Sequence, residues 1–167
     1  MVNNASAAII RQMIISLFEW VDVDKQSIEI QESGFEFSHV QDALLILSDI
    51  TCCLDEQKCN ALDLSKVDKP FALDLIESVL VNHGQVIRCH REFCSIIQDR
   101  ICPYLIDNLK ASSEGKGVEF AKTCRHWRII QLLITDFNDL FPDEVEIFLA
   151  FGIRILRDSS STWECAM

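Results

Sequence analysis

Apolar side chains recur every three or four positions along most of this chain, and that interval is the period of an amphipathic helix. The interval predicts six helices, over residues 5–21, 38–54, 69–83, 89–110, 118–141 and 142–157. No segment shows the clean period-two alternation that is typical of a half-buried strand. The sequence therefore predicts an all-α fold.

Residue types that start, stop or bend helices set several of these boundaries. Asp68 stands just before Pro70, which predicts a capping aspartate with a proline in the first helical turn. Pro142 is followed by two acids, which suit the positive end of a helix dipole. Gly84 predicts a left-handed cap that ends the third helix, and Pro103 predicts a kink in the fourth.

Several of these helices are apolar on more than one side, so each of them must be covered by other helices on both sides. The loops between the later helices are short, which favours antiparallel neighbours. An antiparallel helical array, or α-solenoid, meets both demands. Because no clear sequence repeat is present, the repeats of such an array would be structural only.

The composition argues against several classes of function. The net charge is −11 over 167 residues, and so acidic a chain is repelled by nucleic-acid phosphates and by anionic lipid surfaces. The N-terminal segment lacks the order of a secretory signal, and no charge-free run is long enough to span a bilayer. The eight cysteines are a smaller share than the roughly 8–10% of disulfide scaffolds, so we expect reduced thiols in a cytosolic chain.

Residues 83–105, "HGQVIRCHREFCSIIQDRICPYL", hold two histidines and three cysteines and so raise the question of a metal or redox site. A zinc site is expected to contain Cys-x-x-Cys or His-x-x-x-His pairs, and neither occurs here. Cys94, Ile97 and Ile101 instead share one helical stripe, which predicts a buried seam. We expect His83 to be a helix-end residue that bonds free carbonyls. The side chains expected to pack against the seam from the third helix are Leu75, Ile76 and Val79.

No phosphate-binding loop, nucleophile elbow, zinc helix or calcium loop is present, so no catalytic, cofactor-binding or metal-binding residue is predicted. A basic cluster in the fifth helix, Lys122, Arg125 and Arg128, is the one candidate for binding a partner. It could dock an acidic protein or a lipid headgroup, and a solvated helix face is the alternative.

Residues 69–109, "KPFALDLIESVLVNHGQVIRCHREFCSIIQDRICPYLIDNL", closely resemble one segment of the Mon-two (monensin-sensitivity) proteins of Golgi-to-endosome traffic. They resemble, more distantly, the same segment of the large Sec-seven-type Arf exchange factors. The motifs "LDLIESVL", "RICPYLI" and "EVEIFL" carry the resemblance together, in this order. Mon-two proteins are far longer, so we expect this chain to be a fragment or a truncated product.

The resemblance also divides the chain into segments. Residues 1–24 are similar to the last helix of the family's dimerisation and cyclophilin-binding (DCB) region. Residues 38–158 are similar to its homology-upstream-of-Sec-seven (HUS) region. Residues 25–37 are expected to form an acidic connector, and residues 159–167 a frayed tail. The exchange-factor catalytic domain is absent, so no nucleotide-exchange activity is expected of these residues.

What the resemblance implies is an armadillo/HEAT-like helical scaffold without enzymatic activity, cytoplasmic and peripheral on trans-Golgi and endosomal membranes. The implied partners are Dopey-type proteins and Arf-like small GTPases, with self-association as a further expectation and no role for nucleic acid. Two alternatives stay open. The chain could be the regulatory region of an Arf guanine-nucleotide exchange factor, or a thiol- or zinc-dependent enzyme.

Overall fold

The computed structural model describes residues 4–28, 38–55, 67–113 and 120–157. Two of its helices are joined without a break by a π-helical turn and are counted as one, so the six predicted helices are all present. No strand occurs within the four described ranges. The all-α prediction is confirmed, and the solenoid arrangement stays a prediction. The helices are α1 (Asn4–Ile28), α2 (Ser38–Cys52), α3 (Lys69–Cys89), α4 (Arg91–Ile96), the π-helical turn (Ile97–Ile101), α5 (Cys102–Ser113), α6 (Phe120–Asp136) and α7 (Pro142–Arg157).

Two predicted helix starts are confirmed. Asp68 is extended, with φ −80° and ψ 154°, and its Oδ1 accepts a hydrogen bond of 3.0 Å from the N–H of Phe71. Pro70 lies in the first turn of α3, where its missing N–H removes no helical hydrogen bond. α7 begins at Pro142, and the acids of its first turn face the positive end of the helix dipole.

The prediction that Gly84 ends the third helix is wrong. α3 continues to Cys89 and kinks at His83, whose φ of −127° and ψ of 29° are not helical. A Cβ atom added to Gly84 would lie 3.5 Å from Cζ of Phe137, which is an ordinary contact distance, so the turn after α6 packs directly on this part of α3. The helix ends at His90, which is extended with φ −121° and ψ 113°.

The irregularity predicted near Pro103 is a π-helical turn that comes just before the proline. The N–H of Cys102 donates to the carbonyl of Ile97, five residues back, whereas in an α-helix the N–H donates to the carbonyl four residues back. Pro103 lacks an N–H, and its ring crowds the carbonyl of Asp99, which lies inside the turn. The wider turn is therefore explained by the proline that follows it.

Arg100, within this π-helical turn, closes the C-terminal end of α2. Its Nη1 atom lies 3.1 Å from Sγ of Cys52 and 3.5 Å from the carbonyl oxygen of Ser48 and from Oγ1 of Thr51. A cation at this end of a helix complements the dipole and the unpaired carbonyls. We therefore interpret Arg100 as a structural residue.

The centre of the core is α3, which packs against α1, α2, α4 and α6, while α7 packs against α5 and α6. The predicted seam of the fourth helix is buried at Ile97 and Ile101, whereas Cys94 is half-buried at its margin. The side chains expected to oppose the seam lie in the same apolar cluster: Leu75, Ile76 and Val79.

Two helices have different ends from those predicted. α1 extends to Ile28, because neither glycine nor proline interrupts the seven residues after Val21. α6 ends at Asp136, and Phe137 and Phe141 in the following turn are both fully buried. The predicted connector (25–37) thus begins inside α1. Its remainder and the predicted tail (159–167) lie outside the described residues.

Candidate interaction surfaces

Of the three cysteines singled out in the sequence, Cys94 and Cys102 are packing residues and Cys89 is exposed. Cys94 is half-buried, its Sγ donates to the carbonyl of Ile87 at 3.4 Å, and burial raises the pKa of its thiol. Burial raises the pKa of the Cys102 thiol to about 12. Because the thiolate is the form that attacks and ligates, both thiols are inert at neutral pH. Within the described ranges, no group of three His, Cys, Asp or Glu side chains could hold a metal ion.

The predicted basic cluster lies on α6. Nε of Arg125 donates to Oδ1 of Asp74 at 2.8 Å, and both side chains are about one third exposed, so its charge is balanced within the chain. Arg128 is exposed. The side chain of Lys122 lies outside the described residues. Binding of a partner by this cluster stays a prediction.

α1 carries apolar side chains on two sides. One side enters the core through Ile14, Phe18 and Val21. The other is turned to solvent, with side chains 57–67% exposed, and we call it the α1 outer face. Its members are spaced by four, seven and three residues, which keeps them on one side of a helix. They are Ile9, Met13, Trp20 and Val23.

α7 repeats this arrangement. Val145 and Phe148 are buried, and Gly152 faces the ring of Trp127, since an added Cβ would lie at an ordinary contact distance of 3.5 Å from its Cη2 atom. A second row of large apolar side chains is exposed, and we call it the α7 outer face. Its members are Leu149 (49% exposed), Ile153 (59%) and Leu156 (83%). Rows of this kind are typical of surfaces that bind other protein segments.

A cleft of ≈ 670 Å³ lies between α1, the kink of α3 and the turn that follows α6, and we call it the α3-kink cleft. Its polar lining includes Asp22, Asn82, His83, Arg88, Asp136 and Asp139. A cleft of this size falls in the range of ligand sites in proteins.

His83 lies in the wall of this cleft, and the expectation that it bonds free helix-end carbonyls is wrong. Because α3 continues past it, His83 is not at the end of a helix. Its ring is 5% exposed and stacks on Phe18 at 5.5 Å between centroids. Nδ1 lies 3.9 Å from Oδ2 of Asp22, and neither ring nitrogen has a hydrogen-bond partner among the described residues. Burial lowers the pKa of His83, against the opposing charges of Asp22 and Glu19.

Arg88, on the other side of the cleft, fastens α3 to the turn after α6. Nη1 donates to Oδ1 of Asp139 at 2.9 Å and to the carbonyl of Asp136 at 2.6 Å, and Nη2 bonds Oδ2 of Asp139. The hydrogen bonds from the guanidinium hold the pKa of Asp139 below its usual value. The guanidinium carbon also lies 6.0 Å from the ring centre of Phe137. The positive charge of Arg88 is therefore already used within the fold.

The profile of the family described as Mon2/Sec7/BIG1-like, HUS domain, matches residues 39–167 of this chain. The chain belongs to this family. The match covers α2 to α7 of the HUS domain, and it confirms the resemblance seen in the sequence motifs.

Curated relatives of this HUS-domain chain carry the name Protein MON2 homolog. The protein of Schizosaccharomyces pombe is 25% identical over 166 residues, covering 99% of this chain and 10% of the relative. The Homo sapiens protein is 28% identical over 189 residues, covering 96% of this chain and 11% of the relative. The Drosophila melanogaster protein is 25% identical over 194 residues, covering 98% of this chain and 12% of the relative. The chain thus spans about a tenth of the length of these relatives. No solved structure matches it.

Two candidate functional features of the HUS-domain chain were not identified from its sequence. The α3-kink cleft joins residues from three separate segments, so no local motif marks it. The two outer faces were hinted at by helices that are apolar on more than one side. In the described ranges, no helix is both long enough and apolar enough to cross a membrane.

Proposed function

We propose that the chain is a non-enzymatic scaffold segment of a Mon2-type protein that acts in vesicle-mediated transport between the Golgi apparatus and endosomes. The observation that carries this proposal is the alignment of nearly the whole chain, 96–99%, with proteins named Protein MON2 homolog. The raised pKa values of the Cys94 and Cys102 thiols support the absence of thiol chemistry at these two residues.

The two outer faces support a structural role for the segment within a longer helical array. Terminal units of a helical array need a polar outer surface to stay soluble. α1 and α7 instead expose apolar rows, although α1 packs inward on α2 and α3 and α7 packs on α5 and α6. We propose that helices flanking the matched segment in the same polypeptide cover both faces. The relatives are long enough to supply such helices, because this chain spans only about a tenth of them.

Partners and location follow from the same proposal. We assign residues 1–24 to the end of a DCB-like region and residues 38–158 to the HUS-like region, with an armadillo/HEAT-like arrangement of their helices. Dopey-type proteins and Arf-like small GTPases are the proposed partners. The proposed location is peripheral, on the cytoplasmic side of trans-Golgi and endosomal membranes. The exposed guanidinium of Arg128 is a candidate contact for an acidic partner.

A segment exchange in fission yeast tests this function. The segment of the Schizosaccharomyces pombe Protein MON2 homolog that aligns with this chain is replaced by the chain itself, in cells that lack the natural protein. We expect the chimera to restore the recycling of a Golgi–endosome cargo. A chimera that is expressed at the natural level but restores no recycling would overturn the proposal.

A matched pair of variants shows whether the outer faces matter. Ile153→Glu in the α7 outer face should abolish the rescue, because a charge then replaces an apolar contact with a neighbouring helix. Leu45→Glu, on an exposed position of α2 outside both outer faces, should preserve it. Equal rescue by both variants would contradict stacking at α7.

A further inference from the structure

The α3-kink cleft holds a buried polar group that the fold itself does not satisfy. His83 is more than nine-tenths buried, and neither of its ring nitrogens has a hydrogen-bond partner among the described residues. An unpaired buried polar atom costs free energy, so such atoms are expected to have a partner. The distance of 3.9 Å between Nδ1 and Oδ2 of Asp22 is too long for a hydrogen bond.

The spacing of these two atoms fits one more donor. Two acceptors 3.9 Å apart can both lie about 2.9 Å from a single nitrogen placed between them. Because the ring nitrogens of His83 are enclosed in this structure, the side chain of Asp22, which is 48% exposed, must turn aside to admit that nitrogen. An ammonium or guanidinium nitrogen has enough hydrogens to donate to both. The stack on Phe18 fixes the plane of the imidazole, so its nitrogens are held in position.

The charges around the cleft favour a cation over an anion. α1 contributes the carboxylates of Glu19 and Asp22, and Asp22 is 48% exposed. The last residue of α6, Asp136, and the turn that follows it contribute two more carboxylates, those of Asp136 and Asp139. The cation that α3 contributes, Arg88, is already bound to Asp139. The remaining potential is therefore negative, in a chain whose net charge is −11.

We propose that the α3-kink cleft is a recognition site for a basic side chain, lysine or arginine, of a partner protein. The carboxylate of Asp22 balances the charge of this side chain, and the unprotonated ring nitrogen of His83 accepts a hydrogen bond from it. Val81, which lines the cleft and is 58% exposed, contacts the aliphatic stem of the incoming side chain. The site goes beyond the scaffold role, because it would select partners by charge.

The proposal also predicts a dependence on pH. A proton on His83 removes the acceptor and places a positive charge beside the incoming cation. Because burial lowers the pKa of His83, the ring is neutral near pH 7 and binding is favoured there. Linkage requires the reverse effect too, so a bound cation must lower the pKa of His83 further.

Nuclear magnetic resonance on the full 167-residue chain tests the site, with N-acetyl-arginine amide and N-acetyl-lysine amide as probes. We expect saturable shifts of the His83 and Asp22 signals with at least one probe. N-acetyl-citrulline amide, a neutral analogue of the arginine probe, should bind at least about tenfold more weakly. Equal shifts with the neutral probe, or shifts spread evenly over all exposed carboxylates, would overturn the proposal.

Three variants test whether the charged probe binds in the cleft or is attracted by acidic side chains anywhere on the surface. Asp22→Asn should weaken binding of the charged probe at least about tenfold, and Asp42→Asn, at an exposed site on α2, should leave it unchanged. His83→Phe keeps a ring on Phe18 but should remove the pH dependence of binding between pH 5.5 and 7.5. If His83→Phe fails to fold, Asp22→Asn still decides, because Asp22 is half-exposed. Unchanged binding by Asp22→Asn would refute the site.

Discussion

Replacing Ile97 with alanine tests the buried seam that the sequence suggested and the structure contains. Ile97 is fully buried in the π-helical turn. At ~0.8 kcal/mol per methylene, the lost transfer free energy is about 2.4 kcal/mol. The cavity left behind raises the total cost to about 2–5 kcal/mol. For a chain of this size, a loss of about 3 kcal/mol lowers Tm by roughly 6–12 °C.

The assay is thermal and urea unfolding of the whole chain, followed by circular dichroism. Ile153→Ala is the matched control, because it makes the same chemical change at a position that is 59% exposed. Its free energy of unfolding should stay within about 0.5 kcal/mol of the wild type. The reasoning is refuted if Ile97→Ala costs less than about 1 kcal/mol, or if the control costs as much.

Three further changes have defined outcomes. Cys94→Ala should fold and cost little, because a small half-buried side chain is lost. Cys94→Asp should be severely destabilising, because it places a charge at the margin of the buried seam, beside the carbonyl of Ile87. Equal melting temperatures for the two Cys94 variants would contradict the structural role of this thiol. Asp68→Ala should cost about 0.5–2 kcal/mol in urea, since it removes the cap on the N–H of Phe71, and no measurable cost would argue against the cap. His83 should make the folded chain less stable as pH falls through 6.5, because its pKa is lower in the folded chain and the unfolded chain binds the proton first. This loss of stability should level off below the pKa of His83 in the folded chain. The urea midpoints at pH 7.5 and pH 5.5 should differ less for His83→Phe than for the wild type. An equal difference in the two proteins would contradict burial of a neutral ring.

The features predicted correctly from sequence are those set by neighbours in the chain. The start of α3 depends on Asp68 and Pro70, which lie within three residues of the N–H that is capped. The start of α7 depends on Pro142 in the same local way. The helical period alone was enough to predict the all-α class, because the pattern rests on many residues in each helix and no single residue decides it.

The features predicted wrongly depend on residues far along the chain. Gly84 predicts a helix end, but it lies inside α3, where Phe137 packs on it from the turn after α6. His83 then loses its expected role, because the helix does not end there. Tertiary packing of this kind leaves no local signal.

We propose that this HUS-domain chain works as a segment of a longer helical scaffold whose α1 and α7 outer faces are covered. Hydroxyl-radical footprinting of Met13 and Leu156 measures that cover directly, in the purified chain and in the purified fission-yeast chimera. Both side chains should be labelled in the chain alone, where they are 67% and 83% exposed, and protected at least about tenfold in the chimera. Val81, in the wall of the α3-kink cleft, should be labelled equally in both proteins. Equal labelling of Met13 and Leu156 in the two proteins would contradict the account.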